Sequence, residues 1–363
     1  MAETMTKLYQ SIHAQPHAVR ELLADWDGPR QVAEHLAQAN RVLIAGIGTS
    51  FHAATIGEYL LRLAGAEAWA VRSFEFVNYP RPLYTHDAVI VISHRGSKLQ
   101  GMMAIQRAAA AHVLTVGITG KNTKMQGADI VLETVEQDPS STHSVSYIGT
   151  LTRLGQIAAR LAALHGQVET AQQLEEGLAQ LPTLMENILS REDVIRKIAQ
   201  EAVAHQRRIY FVGAGPNAVT APEGALKAKE AAYVTAEGFE LEQAIHGPEV
   251  AFEKEDLLIP ISVRGHGQAR MADFLLSLSE IAPHVLLLGE APNSETEALF
   301  ARDGWTRFEL ADEANIPEEL TPLLAALPVQ LLADFLAAAR GTDADGFRRE
   351  QEAYRRAGER FLL

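Results

Sequence analysis

Residues 41–50 read RVLIAGIGTS and residues 208–217 read RIYFVGAGPN, and the two align without a gap at an offset of 167. Each is a β-branched-rich run, then Gly-x-Gly, then a small polar pair, then a helical pattern. A second correspondence follows at nearly the same spacing: SHRG at 93–96 and SVRG at 262–265, each after another apolar run (88–92 and 257–261). Later runs at 113–118 and 285–288 extend both copies. Continuous apolar runs alternating with helical patterns belong to parallel strands buried on both faces. The expected fold is α/β: two doubly wound parallel-sheet sandwiches related by duplication, with flanking helices.

The 363 residues suit such a pair better than one domain. The expected boundaries are an N-terminal helical segment at 1–40, a first sandwich at 41–165 and a helical connector at 166–207. A second sandwich at 208–345 and a tail at 346–363 complete the chain. The connector's helical pattern spans 167–205, with an interruption expected at Pro182. A 47% hydrophobic content provides for buried cores. The net charge of -14, without a dense Lys/Arg block, discounts nucleic acid as a partner. The absence of cysteine removes disulfides, thiolate zinc sites and a cysteine nucleophile together. His, Asp and Glu show no metal-ligand spacing, so no metal is expected. The N-terminus MAETMTKLYQSIHAQP lacks a signal-peptide core, and no apolar stretch reads as approaching the roughly 20 residues of a membrane span. The expectation is a cytoplasmic protein with no membrane association.

Ligands of open parallel sheets bind beyond the carboxyl ends of the strands. Two loops, 46–51 and 93–98, fall at such ends and should be neighbours. A dinucleotide site is the weaker reading, because GIGTSF lacks the third glycine of the fingerprint and GAGPNA has Ala218 there. A tight strand-to-helix turn explains the Gly-x-Gly alone, and no cofactor is expected. Thr49 and Ser50 add hydroxyls at a helix N-terminus, where backbone N–H groups favour an anion; helix capping explains one of them. With Ser93, Ser97, Arg95 and Lys98 in the second loop, the combination suits a single phosphate monoester.

GTSFHA at 48–53 resembles the GTSYHA turn of sugar isomerase (SIS) domains. EGALKAKEAAYVTAEGFELEQAIHGPEVAF at 223–252 resembles the EGALKLKE…HGP signature of the isomerase half of glucosamine-6-phosphate synthase. QLLADFLAAARGTDAD at 330–345 is similar to that family's QLLAY…KGTDVD ending. The resemblance spans about 42–345. It implies a sugar phosphate held by the first SIS domain through Gly48, Thr49, Ser50, Ser93, His94, Arg95, Gly96 and Lys98. A looser match of HSVSYIGTL at 143–151 to the family's STKAFTTQL loop adds Ser144 near the sugar. The synthase carries a glutaminase domain opening on a cysteine. This chain has no cysteine and is expected to resemble the stand-alone phosphosugar isomerases, aminosugar-phosphate deaminases and deglycases.

Glu223, Lys227 and Glu230 fall at i, i+4 and i+7, on one helix face. Charged residues so spaced are usually a solvated face, but Gly224, Ala225, Leu226, Ala228, Ala231 and Ala232 around them are small or apolar. Interconverting a ketose and an aldose needs a carboxylate that moves a proton between C1 and C2. The resemblance makes Glu230 that base, with Lys227 steadying charge and Glu223 orienting it. It also makes His246 the ring-opening group, reaching a neighbouring subunit's site, so a homodimer is implied. Taken alone, His246 reads as a turn histidine before Gly247-Pro248.

Two departures stand out. The family's tail lysine, which forms a Schiff base, aligns with Glu352, and the last lysine is Lys254. The family's SQSGET is here SHRGSK, so Arg95 and Lys98 replace hydroxyls. The tail itself reads either as an exposed terminal helix or as an Arg-rich lid. The leading expectation is an enzyme acting on a phosphorylated keto- or aminosugar by isomerisation, deamination or deglycation. The rival is a catalytically inactive sugar-phosphate-binding regulatory protein. A nicotinamide-dependent enzyme ranks third.

Overall fold

The computed structural model of the protein describes residues 5–310 and 316–361. Two compact units form. One comprises 14–139, 143–182 and 349–361; the other comprises 5–13, 140–142 and 183–348. One division between the units falls after His13.

The first unit holds a five-stranded parallel sheet: β1 (Arg41–Gly46), β2 (Ala68–Arg72), β3 (Asp87–Ile92), β4 (Leu114–Thr119) and β5 (Ile130–Glu133), in the order β2-β1-β3-β4-β5. The second repeats it with β6 (Ile209–Gly213), β7 (Ala236–Glu240), β8 (Leu257–Ser262), β9 (His284–Gly289) and β10 (Trp305–Phe308), in the order β7-β6-β8-β9-β10. These are the same topology. The central strands β3, β6 and β8 are buried at every residue, which is why they read as unbroken apolar runs. The edge strands β2 and β5 alternate or are half-exposed and left no such run.

The chain leaves β1 for β2 on one side and returns to β3 on the other, so the β1/β3 boundary is a topological switch point. β6 and β8 form its counterpart. Loops at the carboxyl ends of those four strands are where this architecture exposes backbone to a ligand. Each sheet is clamped by helices. In the first unit Ala45, Val89 and Val91 pack with Ala104 and Ile105. In the second, Val212, Leu258 and Leu287 pack with Phe274 and Leu278. Each fully buried side chain of this size contributes about 1.5–3 kcal/mol.

Two expectations about helices need correction. The connector helix Val168–Leu189 runs through Pro182 without a break. A proline removes one backbone hydrogen bond, and the buried Leu174, Leu178, Leu181, Met185 and Ile188 hold this helix together regardless. There is also an apolar stretch long enough to span a membrane: the helical segment Glu318–Arg340, of which 89% of the most apolar window is buried inside the protein. The helix Pro322–Arg340 is hydrophobic all round because protein surrounds it.

Candidate active site

At the end of β1 the chain turns within one residue of the strand. A Cβ on Gly46 would lie 2.2 Å from the Ser50 carbonyl oxygen, so only glycine lets the next helix start this close. Gly48 has φ +54°, the left-handed region that favours glycine. Thr49 and Ser50 are the first two residues of the helix Thr49–Leu63. On the adjacent strand, Ser93 follows β3 directly. It is 6% exposed, and its hydroxyl has no hydrogen-bond partner among the described residues. It faces Gly101, in the first turn of the helix Leu99–Ala110, where an added Cβ would stand 3.4 Å from Ser93 Oγ. The two loops expected to be neighbours thus lie at the ends of paired strands, with Ala45 opposite Val91.

The loop between Ser93 and Lys98 turns through Gly96 at φ +64°. Arg95 is exposed and Lys98 half-buried, and neither forms an ion pair among the described residues. Burial first, then the cations of Arg95 and Arg349, push the Lys98 ammonium below its ordinary range. The Lys98 ammonium thus lies in the field of two further cations, which raises the local affinity for an anion.

His94 is hydrogen-bonded within the protein. Its ring turns toward Gly120, where a Cβ would stand 2.7 Å from His94 Cε1, and its Nε2 accepts the Asp138 N–H at 3.1 Å. Burial lowers its pKa, Asp138 opposing and Arg95 adding to the effect, which favours the uncharged ring whose Nε2 can accept that N–H. Asp138 in turn accepts the Ser144 N–H at 2.9 Å, the Ser146 N–H at 3.3 Å and the Ser146 hydroxyl at 3.1 Å. Ser144 is fully buried at the start of the helix Val145–Leu164. His94 and Asp138 thus link the Ser93 loop to the Ser144 turn. Sequence reading missed Asp138; its signal was an Asp-Pro turn followed by a Ser/Thr cluster ahead of a helix.

In the second unit, β6 leads into the helix Asn217–Ala232. Glu223 and Lys227 are 0% and 1% exposed, and Glu230 keeps 22% of its side chain accessible. Lys227 Nζ lies 3.4 Å from Glu223 and donates to Glu230 at 2.7 Å. Burial alone would depress the ammonium, but the carboxylates of Glu230 and Glu223 outweigh it and hold Lys227 above its ordinary value. The expected trio is one cluster. His246 takes no part in it: at the end of the helix Leu241–Ile245, it is 69% exposed, with Nδ1 2.8 Å from the Glu242 carbonyl and 3.4 Å from its carboxylate.

The GTDAD segment at 341–345 is pinned to the end of that same helix. Tyr233, in the left-handed region at φ 55°, donates its hydroxyl to the Asp343 carbonyl at 2.8 Å and accepts the Arg348 N–H at 2.8 Å. The Thr342 hydroxyl donates to the Ala231 carbonyl at 3.0 Å. Glu352 opens the helix Glu352–Glu359, every residue of which is exposed. Among the described residues no three His, Cys, Asp or Glu side chains gather to hold a metal ion.

Comparison with known proteins returns the same architecture. The SIS domain family profile matches residues 35–160 and 202–294. The chain is 32% identical over 358 residues to the glutamine–fructose-6-phosphate aminotransferase [isomerizing] of Gloeobacter violaceus, covering 93% of this chain and 56% of that protein. It spans about half the length of the curated relatives it matches. Among solved structures, the C-terminal domain of glucosamine-fructose-6-phosphate aminotransferase from Francisella tularensis superposes with a TM-score of 0.83 at 20% identity, covering 94% of this chain and 98% of that one. The tagatose-6-phosphate ketose/aldose isomerase of Escherichia coli has a TM-score of 0.77 at 18% identity, over 96% of both chains.

Proposed function

The chain belongs to the SIS domain family, and on that premise we propose that it binds a phosphorylated keto- or aminosugar and moves a proton between C1 and C2 with Glu230 as base. The observation that carries this reading is the buried Glu223–Lys227–Glu230 cluster, in which Glu230 alone keeps access to solvent. Buried ion clusters are costly, and well-packed apolar replacements are often neutral or stabilising. Its presence on a Gly- and Ala-rich helix therefore calls for a chemical reason.

The chemistry follows from the groups. A carboxylate takes the C1 proton of an open-chain ketose while the C2 carbonyl oxygen gains the electron pair. The O1 hydroxyl proton passes to O2 through the cis-enediol, and the carboxyl returns its proton to C2 as C1–O1 becomes the aldehyde carbonyl. An ammonium 2.7 Å from that carboxylate keeps its charge compensated through both steps. Phosphate recognition is assigned to Thr49, Ser50, Ser93, Arg95 and Lys98. This is supported by the buried Ser93 hydroxyl and by the two neighbouring cations, none of which has a hydrogen-bonded or ion-paired partner among the described residues. The relatives' names specify fructose 6-phosphate and tagatose 6-phosphate, which supports a phosphosugar substrate. His246 is assigned to ring opening in a homodimer, in keeping with the family resemblance and with its exposure. Deglycation of a ketosamine uses the same C1-to-C2 transfer and deamination of a 2-aminosugar its reverse; each gives an imine, from which water releases the amine or ammonia.

The test is a screen of phosphorylated aminosugars, ketoses and ketosamines, measuring isomerised sugar, ammonia and amino-acid release. Glu230→Gln is expected to lower turnover by roughly 10²–10⁴-fold while phosphosugar binding persists. Turnover that survives the substitution would mean the base is misassigned. Tight binding with no turnover of any compound would favour the regulatory reading, with Glu352 at the position of the family's lysine.

A further inference from the structure

The duplication gives the second unit its own pair of strand-end loops, and they are not bare. Gly215 repeats Gly48 down to its backbone, both with φ +54°. Ser262 ends β8 as Ser93 follows β3; it is 2% exposed, and its hydroxyl has no hydrogen-bond partner among the described residues. A Cβ on Gly48 would meet no atom within 4 Å. On Gly215 it would stand 2.9 Å from Glu318 Oε1, and on Gly265 it would lie 2.1 Å from Glu318 Cδ. The Glu318 carboxylate therefore rests against two glycines, one from each strand-end loop, with its face to Gly265 and Oε1 toward Gly215. It accepts the His266 N–H at 3.2 Å. The segment is anchored there, because Asn217 donates to the Thr321 hydroxyl at 2.8 Å and that hydroxyl donates to the Glu318 carbonyl at 2.7 Å.

We propose that the second unit retains an anion cradle at the β6/β8 switch point and that Glu318 is its resident ligand. The carboxylate, planar with two charged oxygens, stands where a tetrahedral oxyanion or phosphomonoester would bind. Glycine at 215 and 265 leaves the room, a loop N–H faces the oxygen, and Ser262 offers a hydroxyl at the strand end. A tethered carboxylate has an effective concentration that free anions must overcome. The wild-type chain accordingly closes this cradle to small phosphates.

The experiment titrates inorganic phosphate into wild type and Glu318→Ala by calorimetry, with sodium chloride at matched ionic strength as control. Glu318→Ala is expected to bind one more phosphate per chain than wild type. Adding Gly265→Val, which refills the space, should abolish the gain. The readout is the gain, so it does not depend on whether the first cradle binds phosphate. If Glu318→Ala does not fold, Glu318→Gln keeps the shape and removes the charge. Its Tm is then expected to rise with phosphate by about 3 °C more than that of wild type. A folded Glu318→Ala with unchanged stoichiometry, or a Glu318→Gln whose Tm follows phosphate as wild type does, overturns the proposal.

Discussion

An ammonium group with 1% of its side chain exposed needs neighbours that carry its charge, and Lys227 has Glu223 at 3.4 Å and Glu230 at 2.7 Å. Lys227→Met would leave Glu223 buried without that cation. Denaturant unfolding is expected to show a loss of about 3–5 kcal/mol. Neutralising the whole cluster, with Glu223→Gln and Glu230→Gln added, should recover most of that stability but no activity. If the triple variant is no more stable than Lys227→Met, the cluster is not an isolated charge balance. The spacing of these three residues was legible because one helix face is a local property. Their burial was not, since it depends on what packs against that face. Asp138 and Glu318 were illegible for the same reason: each acts on loops distant in sequence, Asp138 on His94 and Glu318 on Gly215 and Gly265.

Strand-end loops show how much an element reveals before it is folded. The runs that became β1, β3, β4, β6, β8 and β9 were visible within a residue or so, because strands largely buried on both faces carry few polar residues. Pro260 in β8 is the exception that packing permits. The ladder to β9 pairs Leu258 with Val285 and resumes at Ile261 with Leu288, stepping over the residue that lacks an N–H. The loop after β3 stood out through Arg95 and Lys98, and its fold explains their cost: the Lys98 ammonium lies in the field of the Arg95 cation. Arg95→Ser is expected to let the Lys98 ammonium titrate nearer its ordinary range. It should also weaken phosphosugar binding by about tenfold, the value of one hydrogen bond to a charged group. The loss should be larger for substrates with a second anionic group and smaller in high salt. Equal affinity of variant and wild type for mono- and dianionic phosphosugars would leave the two cations without a role in binding.

At the scale of the whole chain, duplication was the most legible property and the divergence of the copies the least. The two sheets share one strand order, yet in the first copy Arg95 and Lys98 form no ion pair among the described residues. The second pairs Arg264 with Glu290 at 2.9 Å and covers its glycines with Glu318. The helix Pro322–Arg340 shows a further consequence of burial that composition hides. It carries one carboxylate, Asp334, which is 4% exposed and accepts the Thr6 hydroxyl. Burial raises its pKa from 3.8 to about 6; Asp345 and Glu192 act in the same direction, while Thr6 and Arg196 oppose. Between those two values the folded chain holds a proton that the unfolded chain has lost. Stability from this group is complete below about pH 4 and falls as pH rises through about 6. The loss is on the order of 3 kcal/mol. Asp334→Asn keeps an acceptor for Thr6 and cannot ionise. Urea unfolding is therefore expected to find the variant equal to wild type near pH 4 and more stable by up to about 3 kcal/mol at pH 8. A stability difference that stays constant across this range would show that Asp334 keeps an ordinary pKa and that its surroundings solvate the charge.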